Sequence, residues 1–113
     1  MTRIYKLLGR ADWAAAVAKG RFTGAGVDLA DGYIHFSTGP QAPMTARLHF
    51  SGREDLVLVE IEADDLGGGL KWEPSRGGDL FPHLYGALDV SLARSVRPLT
   101  VDETGVPILG DLA

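Results

Sequence analysis

Tyr33, His35 and Ser37 occupy alternate positions of the pentapeptide Tyr33-Ile34-His35-Phe36-Ser37, and that alternation decides what they can do. In an extended chain successive side chains point to opposite faces. Ile34 and Phe36 are therefore expected in the core, with His35 and Ser37 together on the other face, near enough to hold one ligand or to hydrogen-bond each other. A second concentration of reactive types runs from Trp72 to Gly86. It holds the aromatics Trp72, Phe81 and Tyr85, together with His83, Arg76, the carboxylate of Glu73 and three glycines, within 15 residues. Glycines let backbone N–H groups approach an anion, an arginine can grip a phosphate or carboxylate bidentately, and aromatic faces stack on flat rings. A nucleotide or similar anionic ring compound answers all three. In that reading Arg76 holds a phosphate, Tyr85 or Trp72 stacks on the ring, and His35 with Ser37 hydrogen-bonds a ribose. His83 is then the general acid/base, and Glu73 is the carboxylate available to steady an oxocarbenium-like centre. The plainer alternative is an ordered loop whose arginine pairs with Glu73 or Asp79 and whose aromatics cap the core.

Several other chemistries are excluded or unsupported. The chain has no cysteine, so it has no disulfide, thiolate metal site or cysteine nucleophile. His35, His49 and His83 lie in separate elements without His-Glu-x-x-His spacing, and no metal is expected. His49 stands near a helix C-terminus, where it can serve as a cation facing the last carbonyls. Neither Ser37 nor Ser75 sits in a Gly-x-Ser-x-Gly elbow, and Gly67-Gly68-Gly69 lacks the lysine and helix of a phosphate loop. A net charge of −4 argues against general nucleic-acid binding. No stretch approaches the roughly 20 apolar residues of a membrane span, and the first residues lack a signal-peptide hydrophobic region. The expected setting is the cytoplasm, with no membrane partner and a small anionic molecule as ligand.

The elements that must position these groups belong to one domain over residues 1–113, since 113 residues with 45% hydrophobic and 23% charged content support one ordinary core. Arg3 to Leu8 reads as a buried strand. Asp12 to Lys19 reads as a helix with Trp13, Ala16 and Val17 on one face, stopping at Gly20. Phe22 to Gly32 reads as a loop, and Tyr33 to Ser37 as a strand. A second helix follows Thr38-Gly39-Pro40, with either a Thr38/Gln41 capping box or Pro43 at its first position. It ends before Gly52, with Gln41, Thr45 and His49 on one side and Met44 and Leu48 as the adjacent apolar stripe. Leu56 to Glu62 is the expected central strand, followed by a turn over Asp64 to Gly69 and a short strand over Leu70 to Glu73. Leu80 to Tyr85 is an edge strand or ordered loop, because Pro82 cannot donate to a ladder. A helical turn near Asp89 to Ala93 and a strand near Arg94 to Thr100 complete the core, and 100–113 form a C-terminal hairpin or tail. Without regular strand–helix alternation, the fold class is α+β: a small mixed or antiparallel sheet with two main helices.

Four blocks in order resemble one family: Ile4-Tyr5-Lys6-Leu7 with Trp13; Asp31 to Thr38 with Gln41, Thr45, His49 and Phe50; Leu70 to Gly78; and Leu80 to Gly86. They are similar to the domain-of-unknown-function family 952, small bacterial and plant proteins, over about residues 4–99. At greater distance, a strand, a helix ending in Gly20 and the Ile34-His35-Phe36-Ser37 strand resemble the NAD-binding half of the ADP-ribosyltransferase superfamily, especially its RNA 2′-phosphotransferase branch. That resemblance implies an ADP-ribosyltransferase-like fold, NAD or ADP-ribose as ligand, and ADP-ribosyl or phosphoryl transfer. It places Tyr5 and Lys6 at the first histidine motif, His35 and Ser37 at the second, and His83 with Tyr85 near the third. Tyr5-Lys6 replaces the usual His-Gly, and Glu73 is the one candidate for the late glutamate. The ligand-binding set is then Tyr5, Ser37, His49, Trp72, Arg76 and Tyr85, and the catalytic set His35, Glu73 and His83. The alternatives are a non-catalytic ligand-binding or regulatory module, and a purely structural or interaction protein.

Overall fold

The run Ile4-Tyr5-Lys6-Leu7-Leu8 forms the inner part of β1 (Arg3–Gly9), whose side chains alternate between two hydrophobic clusters. Ile4 and Leu8 pack with Trp13, Phe22 and Val59 on one face; Tyr5 and Leu7 pack with Ala42, Ala46 and Leu58 on the other. The structure, a computed structural model, describes residues 2–112. After β1 come α1 (Arg10–Lys19), β2 (Arg21–Phe22), α2 (Val27–Asp31), β3 (Ile34–His35), β4 (Ser37–Thr38) and α3 (Ala42–His49). The second half supplies β5 (Leu56–Glu62), β6 (Leu70–Pro74), β7 (Leu80–Leu84), β8 (Leu88–Asp89), β9 (Ala93–Pro98), β10 (Thr100–Val101) and β11 (Pro107–Ile108). Three 3₁₀ turns, 63–69, 76–78 and 90–92, join them. This is an α+β domain with antiparallel sheets.

The main sheet has the order β4-β1-β5-β9, and β5 is central, as its Val, Leu and Ile content predicts. A smaller sheet has the order β3-β7-β6, and the pairs β2-β8 and β10-β11 lie outside these two. The expected strand 33–37 is in fact two. Ile34-His35 pairs with β7, Ser37-Thr38 pairs with β1, and Phe36 between them donates its N–H to Pro82 O at 3.0 Å. The chain changes sheet at a core phenylalanine, so one pentapeptide stitches the two sheets together. The face assignment holds through the change: Ile34 and Phe36 are buried in the core.

Three other expectations need correction. β7 is the middle strand of its sheet despite Pro82. Its carbonyl receives Phe36 N–H, so the proline nitrogen also faces β3, and the one ladder bond it cannot donate falls at Phe36, where the chain is leaving for β4. The loop 22–32 contains α2. Neither long helix buries the whole apolar stripe expected of it. α1 buries Trp13 and Ala16 while Val17 is exposed, and α3 buries Ala42 and Ala46 while Met44 and Leu48 are exposed. Close packing of α3 on β1 needs alanine at the contact, which the larger residues would prevent. The α1 stop is as expected: Gly20 takes φ 86° and its N–H caps Ala16 O at 2.8 Å. The reciprocal Thr38/Gln41 bonds also form, Thr38 N–H donating to Gln41 Oε1 at 3.1 Å and Gln41 N–H to Thr38 Oγ1 at 3.3 Å, but they close the turn before α3, whose N-cap is Gln41 with Pro43 in the first helical turn.

Candidate functional site: a cleft along the open edge of β1

β4 is only two residues long and covers β1 only at Ile4 and Tyr5. Arg10 N–H donates to Asp55 O at 2.6 Å and Thr2 O accepts from Ala63 N–H at 2.8 Å, so even-numbered residues of β1 direct their backbone groups toward β5. Odd-numbered ones face the other way. Beyond Tyr5, the N–H and C=O groups of Leu7 and the N–H of Gly9 therefore point at an edge that no strand among the described residues covers, while Gly9 C=O, at the N-cap of α1, begins that helix's hydrogen bonds. That edge is the floor of a cleft of about 510 Å³. α2 and the residues before it form one wall, Thr45 and His49 of α3 another, and Phe81, His83 and Arg76 close the far side.

Arg76 lies over the Phe81 ring, with its guanidinium carbon 4.8 Å from the ring centroid. It donates to Thr45 Oγ1 at 3.3 Å and to Gln41 O at 3.5 Å, and Thr45 Oγ1 meets Ser37 Oγ at 2.8 Å. No carboxylate pairs with Arg76 among the described residues. A guanidinium stacked on a ring and bonded only to neutral oxygens keeps its full charge for a ligand. Pairing with Glu73 or Asp79, the plainer alternative, is not what the structure shows.

His83 is buried, with Nδ1 2.8 Å from Glu73 Oε1. The Tyr85 hydroxyl donates to the same oxygen at 2.8 Å. The His83 and Tyr85 bonds hold the Glu73 carboxyl below its usual range, and that carboxylate pushes the Tyr85 phenol up. With Nδ1 occupied, Nε2 is the atom His83 can present to the cleft it lines. The ring of Tyr33 packs at 4.2 Å from that of His83, 4.6 Å from His35 and 5.1 Å from Tyr85, while His35 and His83 approach edge-on at 5.3 Å.

A third group is charged and buried. Lys6 Nζ contacts Asp28 Oδ1 at 3.0 Å and Oδ2 at 2.9 Å, and donates to His35 O at 2.9 Å. Asp28 also accepts from His35 N–H at 2.9 Å and Ala25 N–H at 3.1 Å, and meets His35 Nδ1 at 2.7 Å. His35 Nε2 lies 2.9 Å from Asp31 Oδ2. Burial alone would raise the Asp28 carboxyl, but the His35 hydrogen bond and the Lys6 ammonium outweigh it and bring it down to about 2. Burial lowers Lys6 against the opposing pull of Asp28.

Of the residues singled out in the sequence, Tyr5, His35, Ser37, His49, Arg76 and His83 line this one cleft. Trp72 does not. It pairs with Pro82 in register, one position away from Glu73, so it projects from the opposite face of its sheet and lies 41% exposed beside Ala63, Asp64 and Leu70. Glu73 turns to His83 rather than into the cleft lining, and Tyr85 flanks Tyr33 outside it. Asp28, Asp31, Tyr33 and Arg53 were missed as site residues. Arg53 lies at the Gly9 end of the cleft, held by Asp55 with contacts of 3.2 Å. A signal for Asp28 did exist: Lys6 stands inside an apolar run, and a lysine in a buried strand demands an anion. Among the described residues no group of three or more His, Asp or Glu side chains is arranged to hold a metal, and no helix is long and apolar enough to cross a membrane.

Fold and site together define a small α+β domain with a cleft at the junction of two antiparallel sheets, its largely apolar lining carrying a few charged and polar groups. The chain belongs to the family described as protein of unknown function DUF952, whose model matches residues 7–96. It is similar to protein CC0527 from Caulobacter crescentus: the crystal structure of that protein is 56% identical over 96% of each chain, with a TM-score of 0.94. Its solution NMR structure, 56% identical, covers 97% of this chain and 95% of the other at a TM-score of 0.87. No curated protein is significantly similar to this chain.

Proposed function

We propose that the cleft binds a nucleotide-type phosphate compound, with ADP-ribose or NAD as the named candidates, and that His83 serves as its acid/base. The observation that carries the reading is Arg76, which has no carboxylate partner among the described residues and sits over Phe81 beside the hydroxyls of Ser37 and Thr45. Phe81 and His83 share a face two residues apart, which puts an anion on Arg76 and the imidazole on the same side of β7, an arrangement that suits a phosphate and the ribose attached to it. The open N–H and C=O groups of Leu7 and the N–H of Gly9 add donors and an acceptor along the floor. The resemblance of the first strand, the helix ending in Gly20 and the Ile34-His35-Phe36-Ser37 segment to the NAD-binding half of ADP-ribosyltransferases supports the choice of ligand by analogy alone.

A non-catalytic binding module is the second reading, and one observation favours it. Glu73, the carboxylate offered for an oxocarbenium centre, is consumed by His83 and Tyr85. Phosphoryl chemistry or simple binding then fits better than glycosyl cleavage. We place the protein in the cytoplasm, which fractionation can check. Thermal unfolding in the presence of ADP-ribose, NAD, AMP and inorganic phosphate tests the ligand class. Bound ligand at 100 times its Kd stabilises by about 2.7 kcal/mol, whereas no rise in Tm with any of the four sinks the proposal. Product analysis with His83→Ala then separates enzyme from binding module, since only an enzyme loses turnover.

A further inference from the structure

α2 is anchored in an unusual way. A short surface helix ordinarily docks through an apolar stripe, yet the one residue α2 buries is Asp28, while Val27 and Leu29 are 62% and 67% exposed. Its attachment is electrostatic. Asp28 reaches Lys6 on β1 and both the backbone and the ring of His35, and Asp31 takes the remaining ring nitrogen. The segment is bracketed by Gly26 at φ 57° and Gly32 at φ 86°, conformations that side chains rarely adopt. A Cβ at either would meet nothing within 4 Å, so backbone freedom rather than crowding calls for glycine there.

This segment is also a wall of the cleft, through Ala25, Gly26, Asp28 and Asp31. Both nitrogens of His35 are engaged by its carboxylates, so in this arrangement His35 has no ring atom left for a ligand. The groups facing the ring are Lys6 of β1, Asp28 and Asp31 of α2, Tyr33, and His83 of β7. We propose that α2 is an autoinhibitory strap, closed here by a charge latch, that swings about Gly26 and Gly32 to release His35 to the cleft. The motion is independent of the ligand assigned above; its effect on binding rests on that assignment.

Amide hydrogen exchange tests the motion. Leu29 N–H bonds Gly26 O and Gly32 N–H bonds Asp28 O, so both report opening of α2. Corrected for intrinsic rates, they should exchange at least about 100-fold faster than Val59 in β5, through an opening smaller than global unfolding. Asp31→Ala should accelerate them a further ~5- to 10-fold. A carboxylate at a helix C-terminus opposes the helix dipole, so its removal alone would slow exchange, and acceleration isolates the lost His35 contact. Exchange of α2 at the β5 rate, or no acceleration in Asp31→Ala, overturns the strap. Calorimetry with ADP-ribose tests the consequence: Asp31→Ala should bind ~5- to 10-fold more tightly because more of the protein is binding-competent. That gain should vanish in a His35→Gln background, which removes the released ring. A gain that survives there, or none in the first place, overturns the withholding of His35. No heat with any of these proteins removes the ADP-ribose assignment and leaves the exchange rates to decide the strap.

Discussion

Replacing Lys6 by Met removes one charge from the most buried polar cluster of the protein and keeps the length of the stem. Asp28, 3% exposed, would then retain its bonds from His35 and Ala25 but lose the ammonium at 2.9 Å. Breaking a buried pair on one side costs about 3–5 kcal/mol, and the surviving donors place this case at the lower end, about 3 kcal/mol. For a domain of this size that is a fall in Tm of about 12 °C. The pH dependence gives an independent signature. The Asp28 carboxyl stands at about 2 in the folded protein against its ordinary 3.8. A depressed carboxyl contributes stability that is fully present above the unfolded value and is lost as pH falls through the folded one. Here that is about 2 kcal/mol, present above pH 4 and lost toward pH 2. Without Lys6, burial is opposed by the His35 bonds alone, so the Asp28 carboxyl rises and this contribution shrinks. The gap between wild type and Lys6→Met should therefore be widest near neutrality and narrow below pH 3, as measured by urea unfolding at several pH values. Lys6→Met with Asp28→Leu discards both charges but strands the His35 and Ala25 N–H groups that Asp28 accepts from, so it should not restore wild-type stability. A Lys6→Met protein within 1 kcal/mol of wild type at pH 7, or a gap that does not change with pH, would refute the reasoning.

Three further outcomes follow from the cleft geometry. Arg76→Ala should weaken ADP-ribose binding by about 10- to 100-fold, the value of one or two charge-assisted hydrogen bonds, with Tm changed by only a few degrees; equal affinity by calorimetry would remove Arg76 from the site. Trp72→Ala should leave that affinity within about 2-fold, because the indole lies on the outer face of its sheet; a large loss would mean that the cleft extends around β6. Glu73→Gln should let the neutral His83 ring sample both tautomers, where the wild type holds the proton on Nδ1; nitrogen NMR shifts that are the same in both proteins would show that Glu73 does not orient the ring.

Much of the frame was legible in order along the chain. Strand β5 announced itself by its Val, Leu and Ile content, Gly20 by its position after an alanine-rich helix, and the reciprocal Thr38/Gln41 bonds by residue type and spacing. The alternation in 33–37 also placed Ile34 and Phe36 in the core correctly. The errors share one cause. Met44 and Leu48 matched an apolar stripe, but the helix approaches β1 too closely for large side chains, and that distance is a property of the packed sheet. Pro82 argued for an edge because local rules cannot see that β3 has already turned away at Phe36. α2 left no apolar period at all, since its anchor is a carboxylate.

The sequence by itself determined the residue types that do chemistry and the periodicities that build the strands, because both are carried by near neighbours. It supplied His35, Ser37, Arg76 and His83 as the candidates, and all four line the same cleft. Only the tertiary structure decided what each is free to do. It gave Arg76 neutral partners, closed both nitrogens of His35 against α2, and turned Glu73 from the ligand to His83. Those assignments depend on contacts between residues far apart in the chain, such as Lys6 with Asp28 and Thr45 with Arg76, and on which edge of β1 remains uncovered. Hydrogen bonds and burial act over a few ångströms, so they are settled only when the folded sheets bring those residues together.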